Sequence, residues 1–161
     1  MQVHARQAFR AASSARSAAV RSIPAAAAGD WAGADRWFAE AVRQGPSLPF
    51  AHLEWGRAKL ARGDLPGAAA ELAKAASLGP RFADPSEAWG EVLLASGEPA
   101  AAVRKFQAAA LLAPRWGRLH LKWGEALARQ GRSEDARRQF KTASTLSLSA
   151  ADRAELAAQH V

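Results

Sequence analysis

The chain contains no cysteine and no tyrosine, and only one methionine. Without cysteine there can be no disulfide, no thiolate metal site and no cysteine nucleophile. Long apolar runs are missing as well. A spanning helix needs about 20 largely uncharged residues, and charged side chains interrupt every candidate stretch. Acids are absent from residues 1–28, which carry Arg6, Arg10, Arg16 and Arg21 among many alanines and several serines. Arg16 and Arg21 interrupt any apolar core of a secretory signal in that segment. The H-E-x-x-H, G-x-S-x-G and G-x-x-x-x-G-K-[ST] patterns do not occur, so the usual sequence marks of zinc hydrolysis, serine hydrolysis and nucleotide-phosphate binding are missing.

What the chain does have is a period. Trp55-Gly56, Trp89-Gly90 and Trp123-Gly124 are separated by 34 residues each time. The same interval relates Gly63, Gly97 and Gly131, then Ala68, Ala102 and Ala136, then Leu72, Phe106 and Phe140, then Ala75, Ala109 and Ala143. Pro80 and Pro114 close the first two units, with Leu148 at the third position. Upstream, Gly29, Ala34, Phe38, Ala41 and Pro46 keep the register of one partial unit. A fixed period without insertion is the signature of a repeat architecture.

Each unit reads as two helices. Ala102, Phe106 and Ala109 lie at i, i+4 and i+7, which is one helical face. Gly63, Gly97 and Gly131 fall where the first helix must stop, a place that favours a left-handed backbone. Pro66 and Pro99 stand at the start of the second helix, where a missing N–H does little harm. A glycine inside a helix costs about 1 kcal/mol relative to alanine. Its recurrence implies that Gly56, Gly90 and Gly124 face Ala68, Ala102 and Ala136, letting the two backbones approach, while Trp55, Trp89 and Trp123 fill the core. Trp116 and Phe82, each two residues after a proline, are expected to staple the next helix. Pro24 falls inside the helix expected before Gly29, at a cost of about 3 kcal/mol, so residues 1–28 are expected to form a distorted or frayed helix. Ser149 followed by Asp152 reads as a capping box that opens a final helix over residues 150–160.

These positions resemble the tetratricopeptide repeat, whose pattern runs W-x2-L-G-x2-Y, A-x3-F and P over 34 residues. The departures are consistent. His52, Ser86 and His120 hold the family's first Trp position, Trp takes the Leu position, and Lys59, Leu93 and Leu127 replace Tyr. The resemblance implies an all-α helical-repeat solenoid of antiparallel helix pairs, in an atypical Trp-Gly subfamily. Its repeats lie near 29–48, 49–82, 83–116 and 117–148, followed by a capping helix over 149–161. Pentatricopeptide repeats, which read RNA, usually have a period of 35, and the Gly-Ala-Phe-Pro combination argues against them.

By the same resemblance, a concave groove formed by the first helix of each pair would bind a partner segment. Its lining would be Leu53, Arg57 and Leu60, then Glu87, Glu91 and Leu94, then Arg118, Leu121, Lys122, Glu125 and Arg129. The positions of the family's carboxylate clamp read Leu53, Arg57, Ala88, Arg118 and Lys122, of which only the last two keep the family's cations. Leu53 and Leu121 are expected as apolar anchors. Reversal of Arg118 and Lys122 is expected to weaken capture without unfolding the protein.

The remaining chemistry is sparse. His52 and His120 occupy equivalent positions two repeats apart, so they cannot share a metal, and His4 and His160 are the only others. Glu134-Asp135 is an acid pair at a helix start, where the positive dipole end favours it. The formal charge is +7, and 17 of the 22 cations are arginine. That excess fits an Arg- and Ala-rich composition, and it also permits nucleic acid or acidic proteins as partners. Arg132, Arg137, Arg138 and Lys141 belong to the turn and second helix of the last repeat, as a solvated face or a phosphate-binding stripe. The function expected is a non-catalytic adaptor for a protein or peptide segment, acidic in part, with no cofactor or metal. The alternatives are an RNA- or DNA-binding helical repeat, or the repeat portion of a larger enzyme or secretion complex. The expected location is cytoplasmic, with an organelle transit peptide at the N-terminus as the alternative.

Overall fold

A computed structural model describes residues 13–15, 17–18, 20–21 and 24–159 of the chain. Among the described residues, from Trp31 onward, eight helices follow one another: α1 (Trp31–Gln44), α2 (Pro49–Ala61), α3 (Leu65–Leu78), α4 (Asp84–Ala95), α5 (Pro99–Leu112), α6 (Gly117–Arg129), α7 (Ser133–Ser144) and α8 (Ala150–Ala157). The described residues include no strand. Most of the expected N-terminal distortion, with His4 and His160, lies outside the described residues. Residues 24–27 are helical, and the Pro24 carbonyl accepts from the Ala28 N–H at 3.0 Å.

The chain divides into two compact units, residues 1–80 and 81–161. In the first, α2 and α3 form a pair and α1 packs beside α2. In the second, α4 pairs with α5 and α6 with α7. There α6 also meets α4 and α5, and α8 lies against α6 and α7.

The turns between paired helices are built alike. Gly63, Gly97 and Gly131 have φ of 82°, 77° and 73°, and Gly29 matches them at 79°. Each is bracketed by two backbone bonds, as in Asp64 N–H to Lys59 O at 2.9 Å and Gly63 N–H to Leu60 O at 3.0 Å. This is the Schellman arrangement, which needs a residue tolerant of the left-handed region. Asp30 and Asp64 then cap α1 and α3 by accepting from the N–H groups of Gly33 and Gly67 at 2.8 and 3.0 Å. Ser149 caps α8 by accepting from the Asp152 N–H at 3.0 Å.

Close approach of the paired helices occurs, with a different partner from the one expected. Ala68, Ala102 and Ala136 are all fully buried, but the side chain lying on each glycine comes from the residue four further on. A Cβ on Gly56 would stand 2.6 Å from Leu72 Cγ, on Gly90 2.5 Å from Phe106 Cε1, and on Gly124 2.4 Å from Phe140 Cε1. The Ala68 carbonyl comes within 3.3 Å of the same point at Gly56. The glycine therefore makes room for a large side chain, and the alanine fills the layer behind it.

The tryptophans are also displaced from the expected role. Trp55, Trp89 and Trp123 are half-buried, so they border the core without filling it. The glycine that follows each Trp already gives its place in the pair to Leu72, Phe106 or Phe140. Trp55 instead stacks on Phe38 of α1, with centroids 6.1 Å apart, and donates from Nε1 to Asp35 at 2.7 Å. Lys105 sits 3.3 Å above the Trp89 ring. Trp123 stacks on His120 at 6.1 Å. Trp116 packs on the same cluster as Phe106 and Phe140, as expected of a staple.

Gly90 tests this packing. Phe106 is fully buried and cannot swing away. Gly90→Leu should cost about 3 kcal/mol by overpacking, and Gly90→Ala about 1 kcal/mol net, even though alanine is the better helix former. Urea unfolding monitored by circular dichroism measures both. A Gly90→Ala protein more stable than the parent would contradict the packing described.

Candidate functional site

The expected groove residues sort by burial. Leu53 and Leu121 are 1% and 0% exposed, so neither can anchor a partner; each belongs to the core of its own unit. Glu87 is 1% exposed and Leu94 is buried too. Sequence position had placed all four on the first helix of a pair, but a helix packed on more than one side has little free face to offer. Arg57, Glu91, Arg118, Lys122 and Glu125 remain half-buried.

In the first unit, charged groups tie α1, α2 and α3 together. Asp35 of α1 receives Trp55 Nε1 at 2.7 Å and an Arg62 guanidinium nitrogen at 2.7 Å. Glu71 of α3 accepts from Lys59 at 3.0 Å and bonds His52 Nδ1 at 2.8 Å. Lys59 also lies 4.3 Å over the Trp55 ring. Arg57 reaches Glu54 of its own helix at 3.1 Å. His52 and His120 are structural cross-links: His120 bonds Gln139 at 2.8 Å across the same 19-residue interval as His52 and Glu71. Among the described residues, no group of three or more His, Cys, Asp or Glu could hold a metal ion.

The second unit holds the densest arrangement. Arg118 of α6 reaches Glu91 at 2.7 Å and Glu87 at 3.3 Å, both on α4, and Asp152 of α8 at 2.8 Å. One turn further along α6, Lys122 bonds Glu125 at 3.3 Å and also Glu155 of α8. Five carboxylates thus surround two cations. Burial works against the Arg118 charge, yet Glu91 and Glu87 hold it more firmly protonated than an ordinary arginine. Lys122 is likewise raised: burial opposes its charge, and Glu155 and Glu125 outweigh burial. Arg118 and Lys122 were expected to face a ligand, but both already have carboxylate partners within the chain.

Reversing these two residues would not spare the fold. A Glu at position 118 would stand among Glu87, Glu91 and Asp152. Breaking a buried ion pair costs about 3–5 kcal/mol, and the 35% exposure of Arg118 places this one near the lower end.

Glu134 and Asp135 lie in the first turn of α7 but make no capping hydrogen bond. Asp135 instead pairs with Arg132 at 2.6 Å and with Arg138. Arg137 and Lys141 are exposed on the same helix. Sequence reading missed the Asp35–Arg62 link, the Lys105–Trp89 contact and the part played by Asp152. Only the last left a signal, since Asp152 follows Arg118 by one repeat of 34.

With this geometry in place, similarity to known proteins can be weighed. No protein-family model matches the chain, and no curated protein does. Solved structures do match. TTC0263, a thermophilic TPR protein of Thermus thermophilus, superposes with a TM-score of 0.78 at 22% identity, over 89% of this chain and 79% of that one. A crystal structure of MamA gives 0.72 at 20% identity, over 81% and 77%. A second MamA structure gives 0.71 at 18% identity, over 91% and 77%. At these identities the likeness defines the fold, which is the tetratricopeptide-type helical repeat. No helix among the described residues is long and apolar enough to cross a membrane.

Glu125 gives the site a pH dependence. Burial raises its pKa, Lys122 opposes, and a hydrogen bond with Glu155 adds to the rise, carrying it from 4.5 to about 7. A folded value above the unfolded one gives a stability contribution that is whole below the unfolded value and lost as pH rises through about 7. Asp152 is shifted the other way: burial opposes, but bonds from Ser149 and Arg118 hold it below the usual carboxylate range, so its contribution is lost only in acid. The melting temperature should fall between about pH 4.5 and pH 7, and Glu125→Gln should flatten that fall. Equal slopes for the two proteins would show that Glu125 is already ionised at the lower pH.

Proposed function

We propose that this protein is a non-catalytic adaptor that holds a segment of a partner protein against the first-helix faces of its repeats. The observation that carries the proposal is the set of half-buried charged groups on α4 and α6, above all Glu91, Arg118, Lys122 and Glu125. They form an ordered pattern of charge on the helices the repeat fold uses for recognition. Such patterns give specificity and speed of encounter more than raw affinity. The partner pairs with both signs, because Glu91 and Glu125 stand beside the two cations.

Capture from a lysate of the native source, with bound proteins identified by mass spectrometry, tests the proposal. Glu91→Gln should reduce recovery of the partner several-fold. Reversal of Arg137 and Arg138 should leave it unchanged; both lie exposed on α7, where ion pairs contribute about 1 kcal/mol or less. If recovery is lost with Arg137 and Arg138 and kept with Glu91, the working face is that of the second helices.

The charge of +7 supports a second reading, nucleic-acid binding. If the cations act only as a diffuse field, single-stranded RNA or duplex DNA should bind no tighter than about 10⁻⁴ to 10⁻⁶ M at physiological salt, without sequence preference. Submicromolar, sequence-dependent binding in a filter or anisotropy assay would place this reading ahead of the adaptor.

A further inference from the structure

The helix α8 is attached differently from every other helix. It keeps the repeat register: Asp152 stands 34 residues after Arg118, so α8 lies where the first helix of a further pair would. Among the described residues no second helix packs on it, and it meets α6 and α7 only lightly. Its side chains explain this. Ala151, Arg153, Ala154 and Ala157 are exposed, and Leu156 is the one large apolar group it presses, half-buried, against the core. Beside it an open cavity of about 450 Å³ lies between Leu146, Leu148, Leu156 and Ala157. A helix of eight residues has little stability of its own. Its position therefore depends on Asp152 holding Arg118 at 2.8 Å and Glu155 holding Lys122.

We propose that α8 is a displaceable internal occupant of the α6 face, and that the external segment taking its place is an acidic helix. That helix carries carboxylates at the Asp152 and Glu155 positions and a leucine at the Leu156 position. The inference rests on the adaptor reading and names the partner's chemistry. When α8 leaves, Arg118 keeps Glu87 and Glu91, and Lys122 keeps Glu125, but each cation loses the acceptor that α8 supplies. Half-buried cations left without that acceptor are costly, so the replacement must supply carboxylates at two points. The spacing of three residues puts both acids on one helical face, and leucine follows at the fourth. A phosphate chain fits poorly, because Glu87 and Glu91 flank Arg118 and repel a dense run of negative charge. Exchange of one acidic helix for another needs no large rearrangement of α6, whose own partners on α4 and α7 stay in place.

The test uses the full chain with Asp152→Asn and Glu155→Gln together, and a blocked synthetic peptide spanning residues 149–159 as the probe. Amide exchange in α8 of the double variant should quicken at least tenfold. The peptide should shift the amide resonances of Leu121, Lys122 and Glu125 at a concentration at least tenfold lower in the variant than in the parent. A peptide with Asn and Gln at the two acidic positions should not. The proposal fails if the peptide binds both chains alike, if the neutral peptide binds as well as the acidic one, or if α8 stays protected in the double variant. Circular dichroism checks the fold, and Glu155→Gln alone provides the same comparison should the double variant unfold. Concentration-dependent dimerisation of the variant would make a second copy the occupant and overturn the external partner. A partner captured equally by parent and variant defeats displacement alone. Peptide binding as expected, with no partner captured by either chain, defeats the adaptor reading alone.

Discussion

Each helix pair depends on one contact, a glycine of the first helix lying beneath a large apolar side chain of the second. Gly56 under Leu72, Gly90 under Phe106 and Gly124 under Phe140 are the same contact three times. A Cβ at any of these points would fall within 2.6 Å of its neighbour, well inside van der Waals contact. The loss of helix propensity at each glycine, about 1 kcal/mol, is offset by the burial of Leu72, Phe106 or Phe140, at roughly 1.5–3 kcal/mol for a side chain of that size. The rest of the unit follows. The neighbouring Trp is turned out of the pair and half-exposed, where its ring meets Phe38, Lys105 or His120. The next glycine ends the helix in the left-handed region so that the chain can reverse.

In the second unit the apolar joint between the pairs, which includes Phe106, Leu119, Leu121 and Trp116, is supplemented by charge. Arg118 joins α4, α6 and α8 through three carboxylates, and Lys122 adds a second link between α6 and α8. Networks of this kind are costly to disturb from one side, because each cation removed leaves several acids facing one another. The same chemistry makes the joint responsive. Burial raises the Glu125 carboxyl toward neutrality, and the short α8 is held more by ionic bonds than by apolar burial.

The repeat was open to reading from the sequence because the contact that builds it recurs in identical positions. Period, helix ends, left-handed glycines and the Ser149 cap all involve residues near one another in the chain or related by 34. What the sequence left hidden depended on which neighbour a side chain meets. Gly90 looked toward Ala102 because both are small, yet the space was shaped for Phe106. Leu53 and Leu121 looked like ligand anchors because they sit on the first helix, yet packing on several sides buries them. Asp35 and Arg62 are separated by 27 residues and occupy no repeated slot, so no period could pair them. Arg118 was picked out as a groove cation by its slot, and the same register, carried one step on to Asp152, would have shown its partner.

Carried through the second unit, that slot holds Asp84, Arg118 and Asp152 on α4, α6 and α8. Its charge alternates in sign from one first helix to the next. Alanine surfaces are smooth, and small side chains alone define poorly how far one helix may slide along another. A guanidinium flanked by carboxylates defines it well, because a slip of one helical turn, about 5.4 Å, would remove acceptors from the cation and bring acids together. On this view the charges of α4, α6 and α8 do two things at once. They help to fix the register of α6 against α4 and α8, and they leave half-buried cations with an acceptor supplied by α8. A joint made wholly of leucine would be tighter, but it would give a partner no charged point at which to replace α8.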